Sequence, residues 1–263
     1  MRKYFRILRI ILKNAYIRDS KIVGFILTNL IFQLAEIVIT IVFFNVIFAN
    51  TKSLGGWGFY EVMFLYIYAK FIFAIHKALF RGGFNLISNR MIRMGDYDFY
   101  LTKPVNSLFL ASINKPRIYE FVAMIFEIGI AIWAVVVGQL PIGPANVIWF
   151  IFLALLSVIL IYCLNVITVT PVFWLVKVWS MKEIIARLQA FMRYPAGIFP
   201  AYLRVILLGV FPVMAASYFP VKTLLYPPQM TYILYMILIT TVFLLIARWL
   251  WRIGEKSYGS ASS

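Results

Sequence analysis

The sequence predicts an all-α integral membrane protein: six transmembrane helices with both termini cytoplasmic, accompanied by amphipathic helices at the interface. Three observations carry this reading. The 263 residues are 63% hydrophobic and only 13% charged, with a mean hydropathy of +0.92. A soluble domain carries about 25% charged residues, so this composition cannot close a solvated surface. Long apolar runs recur along the chain, and lysine and arginine are confined to alternate connections between them.

A helix needs about 20 mostly apolar residues to cross the ~30 Å hydrocarbon core. Six runs qualify: Gly24–Phe48, Trp57–Ile75, Ile118–Gly138, Val147–Val169, Ala196–Phe219 and Tyr232–Trp251. The fifth carries Pro200, Pro212 and Arg204 and is closed by Pro220. A broken or partly re-entrant segment is expected there, because such backbone survives at membrane depth only when buried in protein.

Cytoplasmic connections retain the cations. Met1–Lys21 and Lys77–Arg117 hold seven Lys and Arg each, Lys177–Arg204 holds five, and the C-terminal end holds Arg248, Arg252 and Lys256. The intervening connections hold only Lys52 and Lys222, and Lys70 lies within a span. Both termini are therefore assigned to the cytoplasm. The N-terminus lacks the short apolar core and small-residue cleavage site of a signal peptide. At 100° per residue Arg2, Lys3, Arg6, Arg9 and Lys13 share one arc, opposite Ile7, Leu8, Ile11 and Leu12, which predicts a basic amphipathic helix in the headgroup layer. A second such helix is expected over Met181–Tyr194, with Glu183, Arg187, Gln189 and Arg193 on one face and Ile184, Ile185, Leu188 and Met192 on the other. Trp57, Trp133, Trp149, Trp249 and Trp251 lie near span ends and read as interfacial belts.

Several chemistries are excluded. The chain has one cysteine, Cys163, and one histidine, His76, so neither a disulfide framework nor a zinc site is available. There is no Gly-x-x-x-x-Gly-Lys-Ser/Thr phosphate loop, no His-Glu-x-x-His and no Gly-x-Ser-x-Gly. The net charge of +16 sits between apolar runs, which points to lipid headgroups rather than nucleic acid. Ionisable residues inside spans cost roughly 3 kcal/mol on insertion scales and mark partners or pathways. Glu36, Lys70 and Glu127 lie near the middle of the first three spans, which suggests a buried ion pair of Lys70 with Glu36 or Glu127, or a pathway. Glu120 shares a face with Glu127.

The most unusual segment follows the second span: Asn89-Arg-Met-Ile-Arg-Met-Gly-Asp-Tyr-Asp-Phe-Tyr-Leu-Thr-Lys-Pro104. Gly95 can end a helix at positive φ and Pro104 cannot continue one. A short helix, a break and a second short helix are expected at the membrane surface. Phe99, Tyr100 and Leu101 would then form an exposed apolar cluster suited to a partner groove.

The pattern Arg93-x-Gly95-x-x-Asp98-x-Tyr100-Leu101-x-x-Pro104 resembles the signature loop of bacterial type-two ATP-binding-cassette permeases, in the six-span subgroup of about this length. The amphipathic start, Phe199-Pro200-Ala201, and the closing Tyr258-x-Ser260-Ala261-Ser262 agree with it. The resemblance implies one permease domain over 1–263, a membrane-spanning subunit of an exporter in the bacterial inner (plasma) membrane. A second permease subunit, identical or a sibling, would complete the pathway. Two separate nucleotide-binding subunits would bind ATP and magnesium, leaving no cofactor in this chain. Residues 81–117 would be the coupling loop, with Arg93, Gly95, Asp96, Asp98, Tyr100, Leu101 and Pro104 serving the ATPase; 1–21 would be the connecting helix and 252–263 a cytoplasmic tail. Asp96 followed by Tyr97-Asp98 departs from the family's usual Leu-Asp. The rival reading from the residues alone is an ion-coupled secondary transporter built on Glu36, Lys70 and Glu127.

Overall fold

A computed structural model describes residues 2–21, 23–92, 94–175 and 179–259. Arg93, Lys177, Ser260, Ala261 and Ser262 lie outside them. Among the described residues every regular element is helical. The N-terminal α1 (Arg2–Asp19) leads into α2 (Val23–Asn50). Helix α3 starts at Phe59, where the Glu61 carboxylate accepts the Gly58 N–H at 2.7 Å, one half of a capping box, which satisfies a donor the helix cannot.

Helix α3 runs over Phe59–His76 and continues through Lys77–Arg81, Gly82–Leu86 and Ile87–Met91, the first and last of these wound as π-helical turns. A loop beginning at residue 81 is thereby corrected. Phe84, Ile87 and Met91 are buried in one cluster with Cys163, Val166 and Val169, and this packing holds the helix together beyond the apolar run. Two short helices follow, α4 (Asp98–Leu101) and α5 (Ser107–Ile113). Then come α6 (Tyr119–Val137), α7 (Pro144–Val169, with proline where its missing N–H costs nothing) and α8 (Trp179–Gln189). The chain ends with α9 (Ala201–Val205, prolonged by Ile206–Val210), α10 (Ala215–Leu225) and α11 (Met230–Ser257).

Among the described residues five helices are long and apolar enough to cross a membrane: Ile26–Asn50, Phe59–Leu86, Tyr119–Val137, Pro144–Phe173 and Met230–Ser257. Helix α3 is their axis, with 72% of its apolar window buried against 17% for α2 and 22% for α11. The outer helices expose the rest of their apolar side chains, as lipid-facing surfaces do.

Contacts between connections sort the two ends of the bundle. At one end, rich in cations, the Lys3 ammonium donates to the Pro104 carbonyl at 2.7 Å, and Glu255 near the end of α11 accepts hydrogen bonds from Tyr97 and Ser107. The N-terminal helix, the loop after α3 and the last turn of α11 therefore share this basic end. At the far end Trp57 packs on Tyr218 and Tyr226, ring centroids 5.7 and 6.3 Å apart, and the Tyr226 hydroxyl donates to Glu61 at 2.8 Å. Asn146 donates to the carbonyls of Leu224 and Tyr226. Gly197 meets Gly55 so closely that a Cβ on Gly55 would lie 2.9 Å from the Ile198 nitrogen.

These contacts decide between the broken and the re-entrant form expected of the fifth apolar run. Ala201–Val210 and Ala215–Leu225 meet at 101°, and each half is only about 15–17 Å long at 1.5 Å per residue. Residues on both sides of this pair, Gly197 and Tyr226, sit at the far end, so it is a re-entrant hairpin that dips into the bundle and returns. Pro200 caps α9 and Pro212 lies in the break, whereas Pro220 lies inside α10 rather than closing it. Two polar groups of the hairpin find partners: the Met214 N–H donates to the Leu207 carbonyl at 3.1 Å, and the Ser217 hydroxyl donates to the Met192 carbonyl outside it at 2.7 Å.

The chain instead traverses the bundle through α8 and the 3₁₀ turns Ala190–Arg193 and Ala196–Ile198. It starts after Phe173, which packs on Trp251 at the basic end, and reaches Gly197 at the far end. Eleven α-helical residues and the tighter turns after them rise roughly 30 Å. An interfacial helix over Met181–Tyr194 is thus corrected: Ile185, Gln189 and Met192 are buried, while Ile184, assigned to the apolar face, is exposed. Hydropathy misses this traverse because it carries charged residues, of which Glu183 and Arg193 line an internal cavity. Trp57 and Trp251 are likewise buried packing residues rather than belts, unlike exposed Trp249.

Candidate functional site

The loop after α3 is a shaped surface rather than a solvated connection. Gly95 takes φ +76°, a left-handed conformation that glycine adopts without steric cost, and reverses the chain so that the Tyr97 N–H reaches the Met91 carbonyl at 3.0 Å. This turn points Tyr97 inward, where it is fully buried among Phe173, Trp251 and Tyr258, with ring centroids 5.6, 6.2 and 5.3 Å away. The Tyr97 and Ser107 hydroxyls both donate to the Glu255 carboxylate. Burial and that carboxylate raise the Tyr97 phenol above its ordinary range. Burial and neighbouring Asp98 push the Tyr258 phenol up to about 12.

The opposite side of the turn faces outward. Met94, Phe99 and Leu101 are 67%, 63% and 47% exposed, and the Lys103 ammonium sits 3.8 Å over the Phe99 ring. Tyr100 is half-buried, stacked on Tyr97 at 6.2 Å, with its hydroxyl accepting from Asn114. Asp96 is exposed and Asp98 half-buried in the first turn of α4. Gly95, Asp96, Asp98, Tyr100, Leu101 and Pro104 therefore come together as one short ridge, while Arg93 lies outside the described residues. Leu101 also borders a groove of about 600 Å³ along Trp249, Arg252, Ile253 and Lys256.

Three further supports hold the ridge. Helix α1 binds the loop at both of its ends: Lys3 to Pro104 and Tyr4 edge-on to Phe109 at 5.0 Å at the start. At its close Asp19, buried, accepts the Ile118 N–H at 2.7 Å beside Arg18, which donates to the Pro116 carbonyl. Gly82 and Gly83 let the backbone after α5 and within it lie directly on α3, since a Cβ would fall 1.9 Å from the Lys115 oxygen and 2.1 Å from the Ser112 oxygen.

In mid-bundle Lys70 meets Glu36, not Glu127, at 3.1 Å. Arg193 from the α8 traverse adds a second cation 3.6 Å from Glu36, and the Tyr66 hydroxyl donates to it at 3.1 Å. This cluster ties α2, α3 and the traverse together. Glu127 is separate, 2% exposed, with Oε2 lacking a hydrogen-bond partner among the described residues. Among the described residues no group of three His, Cys, Asp or Glu could hold a metal ion.

Residues 34–262 match the family model described as ABC-2 family transporter protein. The chain belongs to the ABC-2 transporter family. No curated protein and no solved structure matches it. ABC-2 proteins are multi-pass membrane transport components that work with ATP-binding subunits, not catalysts themselves. In this ABC-2 chain the residues that anchor the ridge, Tyr97, Ser107, Asp19 and Glu255, escape motif reasoning, as does Arg193 beside Glu36. One signal pointed to two of them: Asp19 and Glu255 are isolated acids within strongly basic segments; Glu255 accepts two hydroxyl donors, while Asp19 accepts the Ile118 amide and pairs with the Arg18 guanidinium at 2.8 Å.

Proposed function

We propose that this chain is the permease subunit of an ABC exporter, lying in a bacterial inner membrane with its basic end in the cytoplasm. It pairs with a second permease subunit, identical or a sibling, to enclose the pathway. Two separate nucleotide-binding subunits dock beneath and hydrolyse ATP with magnesium. The observation that carries the reading is the ridge of Met94, Phe99 and Leu101, apolar and exposed on a turn whose base is fixed to α1, α3 and α11. A solvated loop has no reason to hold three large apolar side chains outward; a docking site in a groove does.

The same anchors explain how a stroke would travel. A push on α4 moves Tyr97 and Ser107, and through Glu255 the end of α11. Through Pro104, Phe109 and Ile118 it moves α1, which leads into α2. Through the glycine contact it moves the extension of α3. Gly95 sets the turn, Tyr100 props it from below, and Asp96 and Asp98 present carboxylates beside the apolar ridge for a basic rim on the ATPase.

The test is the double change Phe99→Asp and Leu101→Asp, both at exposed positions. Purified from its native membrane in mild detergent, the unmodified chain should bring down a nucleotide-binding subunit in near-stoichiometric amount. The variant should lose it while keeping its own thermal midpoint. A variant that retains the subunit sinks the docking assignment, and transport driven by an ion gradient without nucleotide would favour the Glu36–Lys70–Glu127 rival.

A further inference from the structure

The bundle encloses a partly open cavity of about 410 Å³ towards the basic end, within the size range of small-molecule sites. It is lined by residues of one chain, from α2, α3, α6, α7 and α8. Glu36, Lys70 and Arg193 line it, and Glu36 forms an ion pair with each of the two cations, although among the described residues Lys70 Nζ and Arg193 Nε make no hydrogen bond. What remains is unusual. On the α6 wall stand Glu120 and Glu127, 7% and 2% exposed. Across from them, on α3 and its extension, stand Lys77 and Arg81. Among the described residues none of these four forms an ion pair. Glu127 Oε2 and the Nε2 of buried Gln189 both lack a hydrogen-bond partner.

Buried charges without partners are costly, and ionisable side chains at membrane depth mark ligand or ion paths. The two walls differ in sign. Helices α3 and α6 run antiparallel, so Glu127 stands level with Lys70, and Lys77 nearly two turns nearer the basic end, about 10 Å of helix rise, part of which the flexible lysine stem covers. The deep position offers an acceptor to an N–H cation. At the mouth half-buried Lys77 and exposed Arg81 stand with Glu120, which is level with Lys77 by the same count, and with half-exposed Glu183, so an oxyanion there competes with two carboxylates for the two cations. Gln189 adds a neutral donor between the deep position and the mouth.

We propose that this cavity binds a compact zwitterion, a primary ammonium joined by a short linker to an oxyanion. The ammonium seats on Glu127 and the oxyanion on Lys77 and Arg81. A phosphoethanolamine group has this chemistry, whether it arrives as the headgroup of a membrane phospholipid or as a small soluble molecule. The assignment concerns one chain's interior and stands whether or not the exporter reading does. A trimethylated ammonium lacks the N–H donors that Glu127 Oε2 requires, which makes the amine the selective feature.

The experiment uses the full chain in nanodiscs of phosphatidylglycerol, with thermal midpoint and tryptophan fluorescence as readouts. Soluble phosphoethanolamine, phosphocholine, ethanolamine and inorganic phosphate are titrated in one arm. In the other, phosphatidylethanolamine or phosphatidylcholine is doped into the disc, and retained lipid is measured by native mass spectrometry. The expected result is at least a tenfold preference for the primary amine over its trimethylated counterpart in one arm or both. Binding in the soluble arm alone identifies a soluble ligand, and binding in the doped arm alone a lipid. Glu127→Gln should abolish the preference, and Lys77→Met should weaken phosphoethanolamine while leaving ethanolamine unchanged. Equal binding of amine and trimethylamine, no binding in either arm, or a preference that survives Glu127→Gln overturns the proposal. Should Glu127→Gln not fold, the selectivity of the unmodified chain and of Gln189→Ala, expected weaker for every oxyanion, decides.

Discussion

Glu255 shows how much one side chain can carry. It accepts from two hydroxyls of the loop, Tyr97 and Ser107, in a cluster closed by aromatic rings. Hydrogen bonds to a charged group are worth about 1.5–3 kcal/mol net, and an orphaned buried donor costs a similar amount. Glu255→Ala strands both hydroxyls and should lower the thermal midpoint by several degrees, at about 2–4 °C per kcal/mol for a chain of this size. Glu255→Gln keeps an acceptor and should lose less. If both variants melt with the unmodified chain, the clasp does not hold the loop. Tyr97 adds a pH signature. Its phenol is raised in the folded state, so the folded chain keeps a proton that the unfolded chain gives up near the ordinary value of about 10. The stabilisation is whole below that pH and is lost as pH rises above it. Between pH 8 and 11 the midpoint of the unmodified chain should therefore fall more steeply than that of Tyr97→Phe; parallel curves would contradict the assignment.

The helices divide into those the sequence announces and those only packing explains. Helices α2, α6, α7 and α11 follow from apolar runs, because an unbroken apolar stretch has no other stable place. Gly95 was legible too, since a glycine between a helical stretch and two acids is a natural left-handed terminus. Helix α8 was not: Glu183, Gln189 and Arg193 look like a solvated face until the cavity they line is known. The re-entrant hairpin was legible in its prolines, but not the fact that both of its ends share one side. Tyr97 was read as a departure from the family loop, and only the position of Glu255, distant in sequence, gives it a role. The glycines at 82 and 83 belong to this second group. Gly83→Ala would drive a Cβ to within 2.1 Å of the Ser112 oxygen, backbone that cannot yield, and overpacking of this kind costs typically 1–3 kcal/mol. The expected outcome is a lowered thermal midpoint together with weaker retention of the nucleotide-binding subunit, because α5 and the ridge shift as a unit. Gly24→Ala, where a Cβ meets nothing, is the control and should change neither.

At the scale of the whole molecule, parity decides the topology. Five full-length helices alone would put the termini on opposite sides, yet α1 and the end of α11 both touch the same loop. A sixth traverse is required, and there are two ways to supply it. A straight fifth helix over the apolar run would start on the basic side near Ala196. The traverse through α8 starts there near Trp179 instead and has already reached the far side by Ile198, leaving 201–225 as a hairpin. Cysteine labelling separates them cleanly, because the native Cys163 is buried. With the basic end cytoplasmic, a membrane-impermeant maleimide applied to intact cells should label Lys52→Cys, Ile198→Cys and Gln229→Cys. It should reach Lys103→Cys and Gly259→Cys only after the membrane is opened. Position 198 is the deciding one: under a straight fifth helix it would be protected together with Lys103→Cys, while Lys52→Cys and Gln229→Cys still react. Labelling at 198 fixes the fifth traverse to the polar α8 segment, and with it the placement of Arg193 against Glu36 and of Gln189 in the cavity wall.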